Sequence, residues 1–234
     1  MNKIRALLSL LLMSLLHANV KAIDAESLIV HVKNSIQMAT NGKSKLTSNI
    51  LGIEGMSSSK VRHFLNNLCA LPEAFYFEVG VWRGSTFVSA LYQNTATLYG
   101  AIAIDNWAQF GGPKGDFLAN TSKYLAKNSF RFYEQDVFSV DVKDIFNLPV
   151  TIYFYDGDHT AEAQRSAFTY FNTIFADTFI AVVDDWNHEP TRIGTKQAFA
   201  ELGYTILFEQ ILPANYNGDL ANWWNGLYVA VIQK

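Results

Sequence analysis

The stretch Phe75-Tyr76-Phe77-Glu78-Val79-Gly80-Val81-Trp82-Arg83-Gly84-Ser85-Thr86-Phe87 decides how the rest of the chain is read. It opens as an apolar run rich in residues that suit a buried strand, and breaks at an acid and two glycines four apart. It then resumes as a short apolar-periodic segment through Val88, Ala90 and Leu91, with Ser85 or Thr86 as the expected N-cap. Strand, glycine turn and helix start together form a nucleotide-cofactor pattern. Glycine lets backbone approach a ligand closely, and a helix N-terminus offers free N–H groups to an anion. The same pattern also describes any tight βα connection, so its weight depends on what surrounds it.

Downstream, strands and helices alternate. Strands are expected at Leu98–Ile104, Ser129–Glu134, Val150–Tyr155, Thr178–Val183, Tyr204–Gln210 and Leu227–Gln233, after the first at Phe75–Val79. Between them lie helical patterns with Phe117, Thr121, Tyr124 and Leu125 on one face, from Thr160 to about Thr173, and around Ile193–Leu202. Strands separated by helices imply right-handed crossovers and a mostly parallel sheet. The last two strands lack a helix between them and are expected to pair antiparallel. The expected fold is therefore α/β: a three-layer, Rossmann-like, seven-stranded sheet with its last strand antiparallel and helices on both faces.

Upstream, residues 57–234 are assigned to this domain. Ser57-Ser58-Ser59 offers N-caps for a helix carrying Val61, Phe64, Leu65 and Leu68, with His63 beside that face as a structural histidine. Residues 23–56 read as an amphipathic helix over Ile23–Met38 followed by a solvated linker from Thr40 to Asn49. Residues 1–22 have the pattern of an export signal: Lys3 and Arg5, an apolar run from Ala6 to Leu16 broken only by Ser9 and Ser14, then small or modest residues to Ala22. That predicts a periplasmic or secreted protein; the alternatives are an uncleaved interfacial anchor or an apolar N-terminal helix, and a cytoplasmic location. The run is short for a membrane span, and no other run is long enough for one.

The bulk numbers exclude several classes. The chain has 234 residues, enough for one domain with a sizeable core; half are hydrophobic and 14% aromatic, a globular composition. Net charge is −3 without a basic run, so nucleic acid is not an expected partner. A single cysteine, Cys69, rules out an intramolecular disulfide or a thiolate metal cluster.

Five strands end in acids or amides: Glu78, Asp105, Gln135 with Asp136, Asp156 with Asp158, and Asp184 with Asp185. Ligands of open α/β sheets bind outside the carboxyl ends of the strands. Asp105, at the end of strand two and beside the glycine turn, can accept both hydroxyls of a ribose. The turn lacks the three-glycine dinucleotide pattern, which favours a single-nucleoside cofactor over NAD.

Glu78-Val-Gly80-Val-Trp-Arg-Gly84-Ser85, Ala103-Ile104-Asp105-Asn106-Trp107, Glu134-Gln135-Asp136 and the Asp156 and Asp184 strand ends resemble the successive motifs of class I S-adenosylmethionine-dependent methyltransferases. The resemblance covers Ser57 to the C-terminus. It implies that Glu78, Gly80 and Gly84, with Ser85 beside them, line the methionine end of the cofactor. It also implies that Asp105 holds the ribose, that Asn106 and Trp107 flank the adenosine, and that Gln135 and Asp136 lie near the adenine.

More narrowly, Asp156 with Asp184-Asp185 is similar to the metal set of O-methyltransferases of the catechol and macrocin kinds. This implies Mg²⁺ held by Asp156, Asp184 and Asp185 and binding a hydroxylated acceptor, a sugar or a catechol-like ring. A hard cation suits oxygen donors and acidifies a bound hydroxyl. Asp185 stands where the catechol pattern has asparagine, and Asn187 follows two residues later. His159 lies three residues beyond Asp156, at the offset of the catechol-type general base, and is the expected base with His188 as its rival. Trp186, Tyr216, Trp223 and Trp224 could stack on an acceptor or lid the core.

The expected activity is therefore metal-assisted O-methylation of a small hydroxylated acceptor, by a chain that could also form a homo-oligomer. Two alternatives remain. Asp156-Gly157-Asp158 is an Asp-x-Asp, as in metal-dependent glycosyltransferases, and an exported chain could be a non-catalytic binding protein on the same fold.

Overall fold

Five consecutive buried residues, Phe75–Val79, form the central strand β1. They are apolar on both faces except for Glu78, as a parallel strand covered from both sides requires. The computed structural model describes residues 23–234. Around β1 are β2 (Gly100–Asp105), β3 (Arg131–Glu134), β4 (Val150–Tyr155), β5 (Phe175–Val183), β6 (Thr205–Leu212) and β7 (Leu227–Gln233). The order is β3-β2-β1-β4-β5-β7-β6, with β7 antiparallel to both its neighbours and the β1–β5 pairings parallel.

The helices are α1 (Ala25–Thr40), α2 (Ser48–Leu51), α3 (Ser59–Leu68), α4 (Ser85–Leu91), α5 (Lys114–Tyr124), α6 (Val142–Ile145), α7 (Ala161–Thr169) and α8 (Glu189–Glu201). Alternate strand residues feed two separate cores. On one face Tyr76, Ala103 and Phe154 pack with α1, α3, α4 and α5. On the other Phe77, Ile104 and Tyr153 pack with α7 and α8. This is the expected three-layer fold. Among the described residues no helix is long and apolar enough to cross a membrane, and the export pattern of residues 1–22 lies outside the described residues.

Several boundaries differ from expectation, each for a local reason. The N-cap of α4 is Gly84 at φ 81°, not Ser85 or Thr86. A left-handed cap favours glycine, so the two hydroxyl residues become the helix's first turn. β5 begins at Phe175, because that ring stacks on Phe179 at 4.6 Å. α7 stops at Thr169 and gives way to a 3₁₀ turn at Asn172–Ile174. α8 starts at Glu189, since Pro190 is tolerated in a first helical turn. The expected linker contains the short α2, whose Ile50 packs with Ile53 and Val88. α1 buries Leu28, Val32, Ile36 and Ala39 in the first core, so this segment completes a helical layer. His63 bonds the Ser44 hydroxyl at 2.7 Å, a structural position.

Candidate functional site

The helix after β1, α4, lies on one face of the sheet, and the helix after β4, α7, lies on the other. β1 and β4 are adjacent, so their carboxyl ends diverge and open the crevice where such sheets bind ligands. Gly80 at φ 81° makes this junction possible. A Cβ there would lie 1.9 Å from the Asp156 carbonyl oxygen, so only glycine lets the two turns abut.

Asp105 ends β2 beside this turn. Its Oδ2 accepts the backbone N–H groups of Val81 and Trp82 at 2.9 and 2.8 Å, and its Oδ1 accepts that of Trp107 at 2.7 Å. A carboxylate has about four acceptor positions, so Asp105 has room for one further donor rather than the two ribose hydroxyls expected of it. The turn and the following loop are laced together. Trp107 Nε1 donates to the Trp82 carbonyl at 2.8 Å, and Trp82 Nε1 donates to the Phe110 carbonyl at 3.0 Å. Both tryptophans have positive φ, 43° and 48°.

The Trp107 ring is buried against Phe117 and Phe132, with the Lys114 ammonium over it, so it serves the core. Asn106 is exposed and accepts the Ala108 N–H. At the end of β3, Gln135 is half-buried, while exposed Asp136 caps a 3₁₀ turn by accepting the Phe138 N–H at 2.9 Å.

Glu78, Asp156, Asp184 and Asp185 gather at the ends of β1, β4 and β5. Glu78 is fully buried; its carboxyl accepts the Tyr76 hydroxyl at 2.6 Å and the Thr86 hydroxyl. Burial pushes its pKa up to about 8, against the opposing pull of those two donors. Burial first, and then repulsion from neighbouring acids, raises Asp156 and Asp184 well above the carboxylate range. Their closeness makes each disfavour the other's ionised form, so the pair tends to keep a proton. Asp184 Oδ1 is buried without a partner.

Asp185, at φ 55°, turns elsewhere. Its Oδ1 accepts Asn225 Nδ2 at 2.6 Å, and its Oδ2 lies 3.0 Å from His159 Nε2 and 4.0 Å from His188 Nδ1. The expected three-acid Mg²⁺ set is thus not assembled, because both Asp185 oxygens are engaged. Among the described residues no group of three or more His, Cys, Asp or Glu side chains is placed to hold a metal ion. The Asp-x-Asp alternative fares similarly. Asp156 faces Asp184, whereas Asp158 accepts the Thr160 N–H at 2.7 Å, so the two carboxylates do not share a target.

His159 has the form of an oriented base. A carboxylate on Nε2 fixes the proton there and leaves the Nδ1 lone pair, which is buried and unpartnered. Burial lowers its pKa, Asp185 raises it and His188 lowers it, for a net fall. His188 instead accepts the Asn217 amide on Nε2 at 3.0 Å.

Of the four aromatic residues, Trp186 stacks on Tyr228 at 4.2 Å and Trp223 sets its edge to Phe64 at 6.3 Å. Trp224 packs against the first core, and Tyr216 is 62% exposed. Sequence reasoning missed the loop between β6 and β7 as a built wall of the site. Asp219 accepts from Asn215, Ala221 and Asn222 and so shapes it; Asn217 and Asn225 reach His188 and Asp185. Asn187 also braces this wall, through the Ala214 and Asn225 carbonyls.

No protein-family model matches the sequence, and no curated protein matches it. Solved structures do match in fold. An O-methyltransferase from Bacillus cereus in complex with SAH is 11% identical at a TM-score of 0.52, over 95% of this chain and 97% of that one. An SAH-bound methyltransferase from Podospora anserina is 11% identical at 0.55, over 93% and 92%. A precorrin-6y C5,15-methyltransferase from Geobacter metallireducens is 13% identical at 0.53, over 75% and 88%. The chain has the fold of class I S-adenosylmethionine-dependent methyltransferases.

Proposed function

We propose that the chain is an enzyme that transfers the methyl group of S-adenosylmethionine to a hydroxyl oxygen of a small acceptor. The observation that carries this reading is the His159–Asp185 pair beside the buried acids at the switch point of a methyltransferase fold. Four carboxyl groups that no lysine or arginine among the described residues pairs with favour a cationic ligand. Bound S-adenosylmethionine supplies such a cation, a sulfonium whose methyl carbon is electrophilic.

The chain's own residues would then do three things. Gly80 and Gly84 shape the turn that the cofactor lies against, and Asp105 holds that turn while offering one acceptor position to a ribose hydroxyl. Asp185 keeps the His159 proton on Nε2, so Nδ1 is the atom that takes the acceptor's hydroxyl proton. The oxygen–methyl bond forms as the sulfur–methyl bond breaks, and the sulfur keeps that electron pair as a neutral thioether. The proton ends on His159.

The test is direct. The protein is incubated with S-adenosylmethionine labelled on its methyl group and a panel of sugars, catechols and other small alcohols. Label transferred to an acceptor, and lost with His159→Ala, is the expected result. Calorimetry that detects no S-adenosylmethionine or S-adenosylhomocysteine binding would overturn the reading.

A further inference from the structure

One buried cation lies beside the glycine turn with no anion to answer it among the described residues. Arg62, on α3, is 4% exposed, and its Nη1 donates to the Leu51 carbonyl at 3.0 Å. Its Nε is buried without a partner, and among the described residues no carboxylate pairs with it. Burial pushes its pKa down to about 10, so the guanidinium stays charged at neutral pH with its charge uncompensated. A buried charge persists only where something pairs with it.

The position is unusual for its helix. Ser58 is the N-cap of α3, accepting the Val61 N–H at 3.3 Å. Ser57 and Arg62 then occupy the positions just before the cap and one turn inside, where helices usually join two apolar side chains. Here both are polar, both are buried, and the Ser57 hydroxyl is also unpartnered. Glu54 ties the segment before them to Arg83 of the glycine turn. Gly55 lies between the two sides: a Cβ there would meet Ser85 Oγ at 1.8 Å and Arg62 Nη2 at 2.9 Å.

The first two residues of α4 therefore lie between a buried carboxyl group and a buried guanidinium. Thr86 gives its hydroxyl to the Glu78 carboxyl, while Ser85 lies across Gly55 from the Arg62 guanidinium. An amino-acid group, with its ammonium toward the acids, whose ionised form it would favour, and its carboxylate toward the arginine, matches that arrangement.

We propose that Arg62, together with the Ser57 hydroxyl, is the counter-charge for the α-carboxylate of the cofactor's methionine end. The assignment rests on the cofactor reading above. Guanidinium and carboxylate form charge-assisted hydrogen bonds that lysine reproduces only as a point charge.

The experiment is calorimetric titration of the full chain with S-adenosylmethionine and with decarboxylated S-adenosylmethionine, which lacks only that carboxylate. The wild-type protein is expected to bind the decarboxylated compound at least ~10-fold more weakly, the loss of one charge-assisted pair. Arg62→Met should abolish this preference by weakening S-adenosylmethionine alone, Arg62→Lys should restore part of it, and Ser57→Ala should reduce it. Equal wild-type affinity for the two compounds overturns the assignment, whether or not Arg62→Met folds. An unchanged preference in a folded Arg62→Met variant, or undiminished preference in Ser57→Ala and Arg62→Lys together, overturns it as well. In each of these results the cofactor reading still stands. If the wild type binds neither compound, the cofactor reading fails and this assignment fails with it.

Discussion

The Asp105 carboxylate accepts the Trp82 amide at 2.8 Å across the ends of two neighbouring strands. The acid expected to hold a ligand thus also holds the protein, and the two roles can be separated by mutation. Asp105→Ala leaves three backbone N–H groups without their acceptor and should cost roughly 2–4 kcal/mol of stability. Asn106→Ala, one residue on and exposed, should leave the melting temperature unchanged. Thermal melts of the two variants, followed by S-adenosylhomocysteine titration of whichever folds, check both statements.

Glu78 has a folded pKa raised to about 8 by burial, above the 4.5 of an ordinary glutamate. The folded state therefore binds its proton more tightly than the unfolded state does. Its contribution is fully present below about pH 4.5 and is lost as pH rises through about 8. Unfolding free energies measured at about pH 5, 7 and 9 should fall across the series in the wild type, by ~1–3 kcal/mol. Glu78→Gln should flatten that slope. A residue of it should remain, because Asp156 and Asp184 are raised in the same direction.

His159→Ala should lower kcat by about 10²–10⁴-fold, the usual contribution of a general base, without changing S-adenosylhomocysteine affinity. The wild-type rate should fall only once pH drops through the lowered pKa of His159, below the ordinary 6.5. Asp185 stabilises the imidazolium, so Asp185→Asn should move that acid limb to still lower pH. A limb that does not move would remove Asp185 from the mechanism.

Gly80→Ala should be among the most damaging single substitutions in the chain. It adds a Cβ 1.9 Å from the Asp156 carbonyl oxygen at a left-handed φ of 81°. Destabilisation of more than ~2 kcal/mol by denaturant titration is expected. Gly42→Ala shares a positive φ of 64° but meets nothing within 4 Å, and should cost less.

Asp219 accepts hydrogen bonds from Asn215, Ala221 and Asn222, which hold its pKa below the usual value. Asp219→Ala should free the loop between β6 and β7. Faster cleavage within residues 213–226 under limited proteolysis and a raised acceptor KM are the expected signs, with the cofactor affinity intact. The hold should weaken in the wild type too as pH falls through that lowered pKa.

The sequence was most legible where side chains face two apolar layers. β1, β4 and β7 were bounded to the residue, because parallel or central strands are continuous apolar runs with abrupt polar ends. Boundaries blurred where tertiary packing overrode local pattern, as at Phe175, whose ring stacks on Phe179. The positions of the site residues followed from strand ends, but their partners did not. That Asp105 serves backbone N–H groups, that Trp107 faces the core, and that Asp185 pairs with His159 are facts of side-chain direction. Asn225, which bonds Asp185 from 40 residues away, carries no local signal at all. Arg62 was hidden for a related reason: the apolar period of α3 marks Val61, Phe64, Leu65 and Leu68, while nearly the whole helix is buried.

β7 lies between β5 and β6, yet follows both in the chain. Its pairings, Ala181 with Ala230 on one side and Glu209 with Ala230 on the other, are the link by which β6 joins the sheet. A growing polypeptide that has reached Leu212 therefore carries β5 with one flank unpaired and β6 with no neighbour. Until residues 227–233 leave the ribosome and wedge between them, both strands offer open backbone to any other nascent chain. The last strand to be made is thus the one that closes the sheet.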